Sequence, residues 1–212
     1  ELAAEIAGKR GAHSVASIKF DVSDEKAVQN LVAQTIERFG QIDILVNNAA
    51  LYSSLTPRNF NEWDVELWDK VMAVNVRGPW LMVRHIAPHM IKQKSGKIIN
   101  IASGAAYKGV PRMLPYVTSK GAMIAFTRSL SRELGQYGIA VNSLSPGYIL
   151  SDTGLENSTH VEEERLPVRN SRAFKRDAYP EDLLGTLLFL ASSDSDFVTG
   201  QSIVVDGGSV NN

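Results

Sequence analysis

The sequence predicts an α/β protein built on a parallel sheet. Short β-branched apolar runs alternate with longer stretches of helical periodicity, the pattern of consecutive βαβ units. With 44% hydrophobic and 21% charged residues in 212, the composition is that of an ordinary globular domain. Lys+Arg total 22 against 23 Asp+Glu, a net charge of −1, which gives no electrostatic reason to expect nucleic acid or a membrane surface as partner. The absence of cysteine excludes disulfides, thiolate nucleophiles and Cys-based metal sites. No apolar run approaches the ~20 residues that span a bilayer, and no signal peptide opens the chain. The expectation is a soluble, cytoplasmic single domain over residues 1–212.

The elements follow in order. Residues 15–22 (VASIKFDV) read as a first strand. Asp24 is placed to cap a helix reaching about Phe39, with Val28, Leu31, Val32, Thr35 and Ile36 at helical spacing and Gly40 as its stop. Residues 42–46 form a buried strand that ends in Asn47-Asn48-Ala49-Ala50. A long helix covers about 64–93, KIINI at 97–101 is a strand, another helix covers about 115–136, and 139–144 is a strand closed by Ser145-Pro146-Gly147. The stretch 148–179 is polar, weakly patterned and long for a plain connection, so it reads as a lid or mobile loop. Pro180 opens a helix to about Ala191, with Glu181 and Asp182 suiting its positive end, and 201–206 supplies the last strand.

Four polar residues stand at the ends of these elements. Tyr116 and Lys120 lie four apart on one helix and share a face. Ser103 follows a strand, where open α/β sheets place their ligands. Asn75 lies inside the long helix, where an amide is a mediocre helix former. An ammonium one turn from a phenol favours the phenolate and lowers its pKa, as a proton shuttle needs, and a serine hydroxyl could hold a carbonyl or alkoxide oxygen. Taken alone, the Tyr-x-x-x-Lys pair is weak, with an amphipathic helix face as the plain alternative.

Taken with Asn47-Asn48-Ala49-Ala50 after a strand, Tyr116-Val-Thr-Ser-Lys120, Pro146-Gly147-Tyr148-Ile149 and a Val-Thr-Gly-Gln…Val-Asp-Gly-Gly ending, these residues carry a resemblance that spans essentially the whole chain. The sequence resembles the short-chain dehydrogenase/reductase family. The resemblance implies a Rossmann-like, doubly wound parallel sheet and a tetrad. Tyr116 would be the general acid/base, Lys120 would lower the Tyr116 pKa and hold the nicotinamide ribose, Ser103 would position the substrate oxygen, and Asn75 would hold a water linking Lys120 to solvent. It also implies NAD or NADP as cofactor. Asp21 and Val22 would contact the adenine, and Asn47, Asn48 and Ala49 would line the adenosine ribose. Ile101 would pack near the nicotinamide, Pro146, Gly147 and Ile149 would bind its carboxamide end, and Ser151 keeps the hydroxyl of the family's usual threonine. A homotetramer, packed through the Asn75 and Tyr116 helices, is implied as well.

The family's opening strand, TGxxxGxG turn, helix and second strand have no counterpart here, so an N-terminally truncated form of the fold is expected. The first residues, Glu1 to Ile6, resemble the helix that follows that second strand. Without the glycine turn and its helix N-terminus, pyrophosphate affinity should fall. The strand at 15–22 should have a bare edge unless it slides beside 41–46. A non-catalytic binding or oligomerisation module is therefore the alternative to an enzyme that interconverts a secondary alcohol and a ketone.

Other residues carry two readings each. His85 and His89 are spaced for a shared metal, but no third ligand accompanies them, so no metal is expected. Glu162 to Glu164 read as a solvated surface, and Lys175 and Arg176 as surface residues or as contacts for a phosphate or carboxylate. Trp63 and Trp68 read as packing residues. Tyr107, Met113, Tyr148 and Leu155 are pocket candidates or ordinary loop packing. Gly207 and Gly208 suit a tight C-terminal turn at a subunit interface. The mixed lid leans towards a small polar substrate such as a polyol.

Overall fold

The computed structural model describes residues 2–150 and 161–210. Helix α1 (Leu2–Arg10) buries no side chain. Helix α2 (Glu25–Phe39) starts where Asp24 accepts hydrogen bonds from the Lys26 and Ala27 amides, and it ends at Gly40, whose φ of 81° favours glycine. Strand β1 (Ile44–Asn47) follows. The long helix is present as α3 (Val65–Met72), a π turn (Ala73–Arg77) and α4 (Gly78–Gln93) without a break. Next come β2 (Gly96–Ile101), a short α5 (Ala105–Lys108), α6 (Leu114–Leu134) and β3 (Ile139–Pro146). Helices α7 (Val161–Ser171) and α8 (Glu181–Ala191) and strand β4 (Ser202–Val205) complete the described chain.

The four strands are parallel in the order β1-β2-β3-β4. One face packs on α2, α4 and α6 around Val28, Leu45, Met90, Ile98 and Val141, while α8 covers the other through Leu190 on Ile99 and Leu144. Each large apolar side chain so buried contributes about 1.5–3 kcal/mol. Helices on both faces of a parallel sheet make the fold Rossmann-like and doubly wound, as expected.

One expectation needs correction. Residues 15–22 form no strand, and they have not slid beside β1. A strand exists through its ladder, and among the described residues the outer edge of β1 has no partner. The segment is held by side chains instead. The Arg38 guanidinium donates to the Ala12 and Val15 carbonyls at 2.7 Å each. Val22 fills the space over Gly78, where a Cβ would come within 2.8 Å of its methyl group. On β1, Ile44 and Val46 remain 44% and 40% exposed. The stretch read as a lid or mobile loop contains α7, and near its start Leu150 N–H donates to Ala178 O at 2.9 Å.

Candidate active site

The loops that leave the C-terminal ends of β2, β3 and β4 are tied together by backbone bonds. Gly104 N–H donates to Pro146 O at 2.8 Å, and Gly147 N–H donates to Val205 O at 3.0 Å. The packing leaves no room for a side chain at Gly147, where a Cβ would lie 2.6 Å from that of Asp206. Pro146 and Gly147 are thus fixed beside Ser103. Ile149 forms a bridge with Ala178, and Ser151 and Leu155 lie outside the described residues.

Helix α6 begins with Pro115 in its first turn, which suits a fixed φ and a missing N–H. It delivers Tyr116 and Lys120 to the same place. Lys120 is 4% exposed; its Nζ donates to Ile101 O at 2.6 Å and sits 5.7 Å from the Tyr116 ring centroid. Burial pulls the Lys120 ammonium down to about 8. Tyr116 is half-buried, and burial raises its phenol above the usual range, while a hydrogen bond with Ser103 pulls the other way less strongly. For Tyr116, burial thus outweighs the Ser103 hydrogen bond. The Ser103 Oγ accepts from Ala105 N–H at 3.1 Å.

Asn75 is 1% exposed. Its Oδ1 accepts from Leu51 N–H at 2.7 Å, and its Nδ2 donates to Leu51 O at 3.2 Å and to Ser119 Oγ at 3.0 Å. The amide thus clamps the backbone after Asn47-Asn48-Ala49-Ala50. Asn47 is held from the other side: its Nδ2 donates to Asn100 Oδ1 at 2.8 Å, Asn100 Nδ2 donates to Thr127 Oγ1 at 2.9 Å, and Thr127 donates to Met123 O at 2.8 Å. Sequence reasoning missed Asn100, Thr127, Ser119 and Tyr52. Asn100 left a signal, as a polar residue in the apolar run KIINI. Tyr52 stacks on Tyr116, ring centroids 4.7 Å apart and tilted 43°.

The remaining candidates fall elsewhere. Asp21 and Val22 lie at the turn before α2. The Asp21 carboxyl is held below its usual range chiefly by hydrogen bonds from the Ser23 side chain and backbone. Asn48 and Ala49 are exposed on the loop after β1. His85 bonds Glu25 at 3.0 Å, and Arg176 is paired with Asp182 at 2.6 Å across the start of α8. Gly207 and Gly208 adopt φ of 71° and 77°, as a tight turn requires. A cavity of about 420 Å³ lies away from Tyr116, between Arg172–Asp177 and the turn after β4.

A parallel sheet with helices on both faces and polar side chains gathered where its strands end is the architecture of the dinucleotide-binding class. The chain belongs to the short-chain dehydrogenase/reductase family. A family model described as enoyl-(acyl carrier protein) reductase matches residues 1–210. An uncharacterized oxidoreductase of Thermotoga maritima is 38% identical over 196 residues, 92% of this chain and 75% of that protein. A 3-oxoacyl-[acyl-carrier-protein] reductase of Staphylococcus aureus is 34% identical over 192 residues, 91% of this chain and 76% of that one. The crystal structure of a gluconate 5-dehydrogenase from Burkholderia cenocepacia in complex with NADP and tartrate superposes with a TM-score of 0.81 at 33% identity, covering 89% of this chain and 72% of the other. The protein is an NAD- or NADP-dependent oxidoreductase. Among the described residues, no helix is long and apolar enough to cross a membrane.

Proposed function

We propose that the protein interconverts a secondary alcohol and a ketone, with Tyr116 as the acid/base, Lys120 and Ser103 at its sides and Asn75 behind them. The observation that carries this reading is the convergence of Tyr116, Ser103 and Lys120 where β2 ends. The nicotinamide supplies or takes the hydride. Tyr116 Oη gives a proton to the carbonyl oxygen in reduction and removes it from the alcohol in oxidation, and the Ser103 hydroxyl holds the same oxygen. An ammonium has three donors and Ile101 O takes one, so Lys120 retains donors for the hydroxyls of a nicotinamide ribose. Ile101, Pro146, Gly147, Ile149 and Ser151 would hold the nicotinamide end. Asn47, Asn48 and Ala49 would hold the adenosine ribose, and Asp21 and Val22 the adenine.

A small polar substrate of the polyol type fits the polar stretch 148–179 and the likeness to a gluconate 5-dehydrogenase. We also propose a cytoplasmic location and assembly as a homotetramer through the Asn75 and Tyr116 helices; for the assembly alone, Trp80, 44% exposed on α4 in a hollow also lined by Asp69, Met72, Val76, Arg77 and Phe126, offers an apolar contact point.

The test is a fluorescence titration of the 212-residue chain with NADH and NADPH, followed by turnover of gluconate with NAD+ or NADP+ as hydride acceptor. Tyr116→Phe is expected to bind nucleotide as the wild type does and to lose at least about 100-fold in turnover. Full turnover by that variant would remove Tyr116 from the chemistry.

A further inference from the structure

The side-chain amide of Asn75 makes three hydrogen bonds, two with the Leu51 backbone and one to Ser119 Oγ. Both polar groups of the Leu51 backbone are thereby pinned to the π turn. Tyr52 follows directly, and its own carbonyl accepts from Leu55 N–H at 2.9 Å. Leu55 is buried, which anchors the turn from below. Tyr52 is held from both sides, although 43% of it is exposed. Its ring lies on that of Tyr116.

We propose that Tyr52 is a positioning residue for Tyr116, and that Asn75 acts on the site through it, in the order Asn75, Leu51, Tyr52, Tyr116. The groups facing Tyr116 come from three elements: Tyr52 from the loop after β1, Ser103 from the loop after β2, and Lys120 from α6 itself. Ser103 and Lys120 supply polar contacts. Tyr52 supplies an aromatic cover that orients the ring and keeps water from one side of it, and tilted aromatic pairs are the favourable geometry for such a cover. Neither Asn75 nor Tyr52 needs to touch a reacting atom for this to work.

This inference rests on the reading of Tyr116 as acid/base only for its effect on turnover, so the test reads Tyr116 itself. The whole chain is labelled with tyrosine carrying 13C at Cζ. The Tyr116 resonance is assigned with Tyr116→Phe and followed from pH 7 to 12. Tyr52→Phe keeps the cover and is expected to keep both the Tyr116 shift and its titration midpoint. In Tyr52→Ala the ring-current shift is lost, and the midpoint falls by about half a unit or more as water reaches the ring. Asn75→Ala is expected to do the same, and the double variant to do no more than either single one, the mark of two residues in series.

An unchanged Tyr116 in Tyr52→Ala overturns the proposal. So does a double variant whose effects add. If Asn75→Ala does not fold, the Tyr52 pair alone decides. With NADP+ and gluconate, Tyr52→Ala should lose up to about tenfold in turnover, with Tyr52→Phe keeping it. A wild-type chain inactive on gluconate would count against the polyol reading and leave the titration standing.

Discussion

Lys120 shows at the scale of one residue what the site costs the fold. Its ammonium is held in a place that disfavours charge, so its pKa drops to about 8 in the folded chain from 10.5. Below pH 8 the lysine is charged folded and unfolded, and the full penalty applies. Between 8 and 10.5 the unfolded chain holds the proton that the folded chain has released, so stability rises with pH. Urea denaturation is expected to show a gain of about 2 kcal/mol between pH 7 and 9.5 from this group. Lys120→Met should be more stable than wild type at pH 7 and should lack that part of the rise. A wild-type stability flat over this interval would mean that the ammonium is better solvated than its surroundings indicate. Tyr116 works in the opposite sense at higher pH, because its raised pKa makes ionisation above pH 10 favour the unfolded chain. In this respect these two residues of the candidate site are liabilities of the fold.

At the scale of elements, local signals decided what could be read. Helix α2 is specified at both ends, by Asp24 and Gly40. Asp24→Ala is expected to cost about 1 kcal/mol and to lower the thermal midpoint by a few degrees, about 2–4 °C. A midpoint unchanged in a thermal melt would show that packing of Val28 and Val32 holds the helix without its cap. The strands β2 and β3 and the helix α6 were equally legible, because apolar runs and helical spacing are properties of the chain itself. Residues 15–22 looked like a strand for the same reason, yet a strand requires a neighbour, and that is not a local property. Helix α7 escaped notice because its sequence, VEEERLPVRNS, shows no apolar stripe. The π turn around Asn75 was invisible as well, since one extra residue in a helix barely disturbs the periodicity on which the reading depends.

At the scale of the whole molecule, the candidate site was legible only in part. Ser103, Tyr116 and Lys120 could be placed from element ends and spacing. The supports could not. Asn47, Asn100 and Thr127 lie 53 and 27 residues apart along the chain, and only the folded sheet brings them into one line. Tyr52 likewise meets Tyr116 across the gap between β1 and α6. Assembly of copies is the remaining expectation at this scale. Light scattering should return the mass of a tetramer, and Trp80→Glu, which puts a charge on the apolar face of α4, should lower it. A wild-type monomer would count against the arrangement.

The sheet order β1-β2-β3-β4 follows the order of the chain, and this bears on time rather than on energy. Among the described strands, β2, β3 and β4 each pair with the one made before it. Parallel pairing needs a long crossover at each step, which makes closure slow compared with a hairpin. A nascent chain can still add β2 and then β3 while the remainder is being synthesised. Ser103 and Tyr116 of the candidate site enter on the connection that the β2–β3 pairing closes, whereas Asp206, which confines Gly147, arrives only after β4. Part of the site can therefore take shape before the last strand exists, and the loop at Pro146-Gly147 is set last.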